Sequence, residues 1–364
     1  MIESVAYFNS ILKLGVESNC SDIHIKAGSP ATYRISRRLT STDFVPTQEW
    51  MDEVIMTICP AHMKAALLQD RESDFSYHVP GAGRFRTNVF QQCGKWAIVM
   101  RYVKNTVPTM DKLGLPDILK DIAESPRGII LMVGTTGSGK STTLAAMLEH
   151  VNENSRKHII TLEDPIEFMF EENQCVIEQR EILLDTATFQ RGLKSALRQD
   201  PDIIMVGEMR DAISFQAAIS AADTGTMVIS TMHTTSASSS VGRILEFFKQ
   251  DERDTVRRQL AGTLRAVMAQ RMCPTLDGKM TPAIEIMTSN STVRKAIEEN
   301  SLNKLAAIIE ACPDDGMQSF NQAVYKMCKE GKISKEVALE KASNPQAVNM
   351  MFQGIFASGG GIVG

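Results

Sequence analysis

Residues 128–151 read GIILMVGTTGSGKSTTLAAMLEHV, and the order of residue types in this stretch decides the fold. Ile129–Val133 is an unbroken apolar run of strand length, and Thr142–Val151 is rich in Ala, Leu and Met over the length of a helix. Between them, Gly134–Ser141 matches the spacing G-x-x-x-x-G-K-[ST]. A strand that runs through a glycine loop into a helix can hold polyphosphate, because backbone N–H groups of the loop and first helical turn converge on anionic oxygens. Gly134, Gly137 and Gly139 let the loop curl closely, and Thr135, Thr136, Ser138 and Thr142 complete the cradle. Lys140 would reach the β- and γ-phosphates, and the Ser141 hydroxyl would go to Mg²⁺. A glycine turn that binds nothing is the bland alternative; it does not explain why both flanks are correct.

A chain of 364 residues exceeds one ordinary core, so two domains are expected. Its formal net charge of −4 removes the simplest argument for nucleic-acid binding, and no nucleic-acid partner is expected. No apolar run is long enough to span a bilayer, and the opening MIESVAYFNSILK lacks a positive n-region and a cleavage site, so a cytoplasmic protein is expected. The cysteines at 20, 59, 93, 175, 273, 312 and 328 form no C-x-x-C pair. That argues against a zinc site or a disulfide framework and for reduced core thiols.

Toward the N-terminus, apolar residues at 2, 5, 8, 11 and 12 predict an opening helix, and 22–26 and 33–35 alternate as strands do. Helices over 46–58 and 61–69 precede an antiparallel meander of strands at 74–79, 84–91 and 96–103. Residues 1–107 are therefore expected to form a small α+β domain, followed by a linker and short helix over 108–124. Toward the C-terminus, strands at 158–162, 202–206 and 227–232 alternate with helices at 189–199, 212–222 and 241–248. This pattern predicts an α/β domain over 125–350 with a mostly parallel sheet and with ligands at the C-terminal strand ends. Helices are expected over 252–271, 292–299, 302–312, 317–330 and 334–342, with a hairpin near 276–287 and a mobile glycine-rich tail over 351–364.

Glu163, Glu208 and His233 each follow a predicted strand, at the same end as the glycine loop. Glu208 is a candidate to hold Mg²⁺ directly or through water, and Glu163 to orient or deprotonate an attacking water. Surface ion pairs and helix N-terminal charges are the plainer readings of both acids. Arg84 and Arg86 flank Phe85 at period two, so both project from one strand face. That face is either solvated or a pair of arginine fingers for a γ-phosphate.

GTTGSGKSTTLAAML (134–148), ITLEDPIEF (160–168), ALRQDPDIIMVGEMRD (196–211) and TMHTTSA (231–237) resemble the phosphate loop, acidic box, Mg²⁺-binding strand and histidine box of the secretion ATPases of type II and type IV pilus systems. SDIHIKAG (21–28) and GRFRTNVF (83–90) extend the likeness over nearly the whole chain, which is similar to the retraction (twitching-motility) ATPases of the PilT/PilU type. The resemblance implies a RecA-like P-loop NTPase domain behind a smaller N-terminal PAS-like α+β domain. It also implies an ATP-hydrolysing homohexamer, peripheral at the inner-membrane base of a pilus, that acts through an inner-membrane platform protein. ATP with Mg²⁺ would sit between the domains. Glu163 would act on water, Glu208 near Mg²⁺ and Ser141, and His233 would sense phosphate, while Arg84, Arg86 and Arg101 would close over the nucleotide.

Two departures from the family pattern stand out. Thr224-Gly225-Thr226 occupies the place of the usual Thr-Gly-His, and Val293–Glu299 (VRKAIEE) is a loose match to a late helix that usually reads close to AIRNLIRE. Both keep open a PilU-like accessory role with weak hydrolysis beside a paralogous pilus ATPase.

Overall fold

The computed structural model describes residues 3–36, 38–103 and 106–355. The chain divides into two compact units, one of residues up to 106 with 165–169 and one of 107–164 with 170 onward.

In the smaller unit, α1 (Glu3–Glu17) buries Val5, Phe8, Ile11 and Leu12, a single stripe at helical spacing. The strands β1 (Asp22–Lys26), β2 (Ser29–Ile35) and β3 (Arg38–Ser41) follow, then α2 (Gln48–Ile58), capped by the Thr47 side chain, and α3 (Lys64–Asp70). After these come β4 (Glu72–Val79), β5 (Gly83–Gln92) and β6 (Lys95–Val103). The six strands form an antiparallel sheet in the order β3-β2-β1-β6-β5-β4. Phe85 and Val89 of β5 join Phe8, Leu12, Met51 and Ile55 in one core, so Arg84 and Arg86 fall on the sheet's other face. β3 is absent from the sequence reading because all four of its residues are exposed and carry no apolar period.

The larger unit opens with α4 (Met110–Leu113) and α5 (Ile118–Ala123), whose Met110, Leu119 and Ile122 are buried. It continues through β7 (Gly128–Val133), α6 (Lys140–Asn154), β8 (His158–Glu163), β9 (Val176–Glu181), α7 (Phe189–Ala196), β10 (Ile203–Val206), α8 (Ala212–Asp223), β11 (Met227–Met232) and α9 (Ala237–Glu246). Next come α10 (Arg253–Thr263), β12 (Leu264–Pro274) and β13 (Met280–Thr288). The seven-stranded sheet runs β13-β12-β7-β11-β10-β8-β9, parallel throughout except for β13 against β12. β7, β10 and β11 are buried at every position, because helices cover both faces of a parallel sheet. Five further helices, α11 (Ser291–Glu298), α12 (Leu305–Ala311), α13 (Phe320–Lys329), α14 (Lys335–Lys341) and α15 (Pro345–Phe352), complete the described part.

Three expectations are corrected. The helix over 252–271 stops at Thr263, and 264–274 is the strand β12, paired with β7 and β13. Leu264, Val267 and Met268 have helical spacing in the sequence, but they belong to a strand buried on both faces, which leaves no alternation to read. Not every cysteine is a core thiol: Cys93 is exposed and Cys312 and Cys328 are half-buried. α15 carries the start of the expected tail as far as Phe352, and 356–364 lie outside the described residues.

Candidate functional site

The glycine loop joins the C-terminal end of β7 to the first turn of α6, as its flanks dictate. Gly134, Gly137 and Gly139 all have positive φ, at 146°, 78° and 85°. A Cβ on Gly134 would lie 2.6 Å from the main-chain oxygen of Gln270, and one on Gly139 would lie 2.9 Å from Gln270 Nε2. The loop thus presses so tightly on β12 that these two positions exclude a side chain. Gly139 caps α6 without a side-chain hydrogen bond, so the first N–H groups of the helix have no side-chain cap. Thr135, Thr136 and Gly137 form an exposed lip, while Ser141 and Thr142 are half-buried in the first turn. Lys140 is buried, and its Nζ donates to the carbonyls of Gly134 and Thr135 at 2.8 and 3.1 Å. Ser138, only 4% exposed, has a hydroxyl with no hydrogen-bond partner among the described residues. These features fit a polyphosphate. An anion in the cradle would find open donors and would give Lys140 a charged acceptor in place of neutral carbonyls.

Register brings the other candidates to the same edge. Leu162, Val206, Ser230 and Leu131 lie side by side across β8, β10, β11 and β7. Glu163, Glu208 and His233 therefore leave the sheet from neighbouring strands, with the glycine loop after the next. The bond from Gly207 N–H to the Leu162 carbonyl, 2.8 Å, and that from Thr231 Oγ1 to the Gly207 carbonyl, 2.7 Å, continue the pairing past the strand ends.

Glu163 is 7% exposed, and its Oε1 accepts from Thr161 Oγ1 at 2.7 Å and from Gln179 Nε2 at 3.3 Å. Glu208 accepts from Arg210 Nη2 at 2.6 Å and pairs with His233 Nε2 at 3.0 Å. Burial alone would raise its pKa, but the Arg210 hydrogen bond and the charges of His233 and Arg210 outweigh that and hold the carboxyl below its usual range. His233 begins the turn into α9, where Ser236 caps the helix and buried Glu285 of β13 accepts from the Ala237 N–H at 3.2 Å.

Thr226 precedes β11, whose other end leads to His233. With about 3.3 Å of rise per residue, the strand separates the two by roughly 17 Å or more.

Arg84, Arg86 and Arg101 lie in the smaller unit. Arg86 and Arg101 are directly opposed on β5 and β6, and Arg84 is two residues along the same face. Arg101 Nε donates to buried Asp22 at 2.9 Å, and Arg34 lies 3.8 Å from the same carboxylate. The structure thus gathers the three arginines on one face of the smaller unit's sheet.

Four further side chains join the site: Thr161, Gln179, Arg210 and Gln270. Arg210 could have been suspected from the acidic-basic run that follows β10. Thr161 lies two residues before Glu163 on the same strand face, but Gln179 and Gln270 come from strands the sequence reading missed or took for helix.

The sequence profile described as "Type II/IV secretion system protein" matches residues 5–325 of this chain. The chain belongs to this family of secretion and pilus ATPases. It is 37% identical over 337 residues to the type IV pilus retraction ATPase PilT of Pseudomonas aeruginosa, covering 92% of this chain and 98% of that protein. It is 35% identical over 348 residues to the type IV pilus ATPase PilU of the same organism, covering 95% and 91%. A crystal structure of the pilus retraction motor PilT with bound ADP superimposes with a TM-score of 0.85 at 36% identity, covering 93% of this chain and 97% of that one. This PilT/PilU-like ATPase therefore has the RecA-like fold, binds nucleotide and hydrolyses ATP as its family does.

Proposed function

We propose that this pilus ATPase is the subunit of a homohexameric motor that hydrolyses ATP to drive type IV pilus disassembly and retraction, the basis of twitching motility. The supporting observation is the set Glu163, Glu208 and His233 on adjacent strand ends beside the Gly134–Ser141 loop, in a chain alike to PilT over nearly its whole length. ATP would lay its phosphates on the N–H groups of residues 137–142, and Lys140 would turn from the loop carbonyls to the β- and γ-oxygens. Mg²⁺, held by Ser141 and through water by Glu208, would neutralise charge on those oxygens. Glu163, fixed by Thr161 and Gln179, would accept the proton of the attacking water. His233 shares its Nε2 with Glu208, so a γ-phosphate that took this donor would loosen the pair, which suits a phosphate sensor. Arg84, Arg86 and Arg101 would close over the nucleotide, and Arg101 would then exchange its bond to Asp22 for a phosphate contact. The motor would work at the inner-membrane base of the pilus, against a platform protein; no described helix is long and apolar enough to cross a membrane.

A second reading, an accessory PilU-like subunit of low turnover, draws on Thr226. The remoteness of this residue from the strand edges of its own chain speaks against a direct effect on hydrolysis. The test is the particle mass with and without an ATP analogue, beside phosphate release by the purified chain. A six-subunit particle with turnover of its own supports the motor. Turnover that arises only on addition of a second pilus ATPase supports the accessory role.

A further inference from the structure

Gln270 lies on β12, the strand beside β7, and is only 2% exposed. Both ends of its amide are used on the nucleotide loop and its helix. Nε2 donates to the Ser138 carbonyl at 2.7 Å, and Oε1 accepts from Thr143 Oγ1 at 2.8 Å. The orientation of the amide follows from the partners, since the reverse would set two oxygens against each other at Ser138. A trans peptide points its C=O and N–H in opposite directions. Drawing the Ser138 carbonyl outward toward β12 therefore turns the N–H of Gly139, in the same peptide unit, inward to the cradle.

The strand that holds this amide is itself pinned from the other side. Arg271, the next residue, projects from the opposite face, stacks 3.8 Å from the Phe320 ring centroid and donates to the Lys341 carbonyl at 2.7 Å.

We propose that Gln270 is a positioning residue of the phosphate loop, which aims the Gly139 N–H at the β-phosphate of a bound nucleotide from a rigid neighbouring strand. This rests on the reading of Gly134–Ser141 as the nucleotide cradle. Because the β-phosphate is present in ADP, ATP and the transition state alike, the contribution is uniform: it sets affinity and KM and leaves kcat nearly unchanged.

The test measures ADP affinity, KM and kcat for ATP, and the melting temperature in the wild type, Gln270→Leu, Gln270→Glu, Thr143→Val and Lys140→Ala. Gln270→Leu should bind ADP about tenfold more weakly and raise KM by a like factor, with kcat within about twofold, the loss expected for one buried hydrogen bond that preorganises a charged contact. Gln270→Glu gives a readout that a packing role would not move. Its carboxylate repels the Ser138 carbonyl, whereas its protonated form donates to it, so its ADP deficit relative to the wild type should shrink as pH falls from 8 to 6. Thr143→Val frees Oε1 and should weaken ADP by about threefold, and combining it with Gln270→Leu should add little further. Wild-type ADP binding that depends on Lys140 but is within twofold in folded Gln270→Leu overturns this inference alone. A deficit of Gln270→Glu that does not vary with pH, or full additivity with Thr143→Val, also overturns it. If ADP affinity is unaffected by Lys140→Ala, the cradle reading falls and this inference falls with it.

Discussion

Glu208→Gln should separate folding from catalysis, because the carboxylate lies where the two depend on different things. Its side chain is 17% exposed, but its partners reach into water, with Arg210 76% and His233 46% exposed. Two ion pairs half in solvent contribute about 0.2–1 kcal/mol each, and the amide relieves the desolvation of the charge and still accepts one of the two hydrogen bonds. The net cost to folding is therefore about 1 kcal/mol, which lowers the melting temperature by roughly 2–4 °C in a unit of this size. Hydrolysis depends on the charge. A neutral side chain neither supports Mg²⁺ nor holds His233 as an ion-pair partner, and loss of one such preorganised electrostatic group lowers kcat by about 10²–10³. Phosphate release at saturating ATP, ADP binding and a thermal melt on the same preparation decide the matter. A folded variant that retains kcat within threefold of the wild type would refute the assignment of Glu208, and one that fails to fold would refute the reading of its ion pairs as solvent-weakened.

Gly134→Ala puts a Cβ 2.6 Å from the Gln270 main-chain oxygen at a φ of 146°, so it should cost about 3 kcal/mol and abolish ADP binding; a melt unchanged from the wild type would contradict the tight approach. Glu285 has its pKa raised by burial, with the Ala237 N–H and Arg271 only partly offsetting this. A folded-state pKa above the unfolded one means that the carboxyl's stabilising contribution is full below the unfolded value and is lost as pH rises through the folded value. Glu285→Gln should therefore gain stability relative to the wild type as pH climbs from 4 to 8, measured by denaturant titration at each pH; a difference that stays constant or shrinks would contradict the buried charge. Thr226→His should leave the chain's own ATP turnover within about twofold, since the residue lies a full strand length from His233. A tenfold rise would show that position 226 governs hydrolysis directly.

Much of the nucleotide side was legible because the sequence changes its period at Gly134, from an apolar run to glycine spacing to a helical stripe. The acids and His233 were legible for a related reason: each ends a short apolar run, and parallel strands align such ends without further information. The meander of the smaller unit could be read from its alternation, which also put Arg84 and Arg86 on one face. β9 could not, since only Val176 and Ile177 of its six residues are apolar and its place at the sheet edge leaves it partly exposed. β12 was read as helix because a doubly covered strand has no period of its own, and with it went Gln270, which sits against the phosphate loop from 127–132 residues away in sequence. The Arg101–Asp22 pair, 79 residues apart, likewise exists only through the β1–β6 register.

The central claim is that ATP is hydrolysed in the Gly134–Ser141 cradle, and the most direct measurement is phosphate release by the purified chain beside Lys140→Ala, with ADP binding measured on both. The expected result is steady turnover and ADP binding in the wild type, and turnover reduced at least a hundredfold with weakened ADP binding when Lys140 is removed. Equal rates in the two proteins, or no turnover in either, would contradict it.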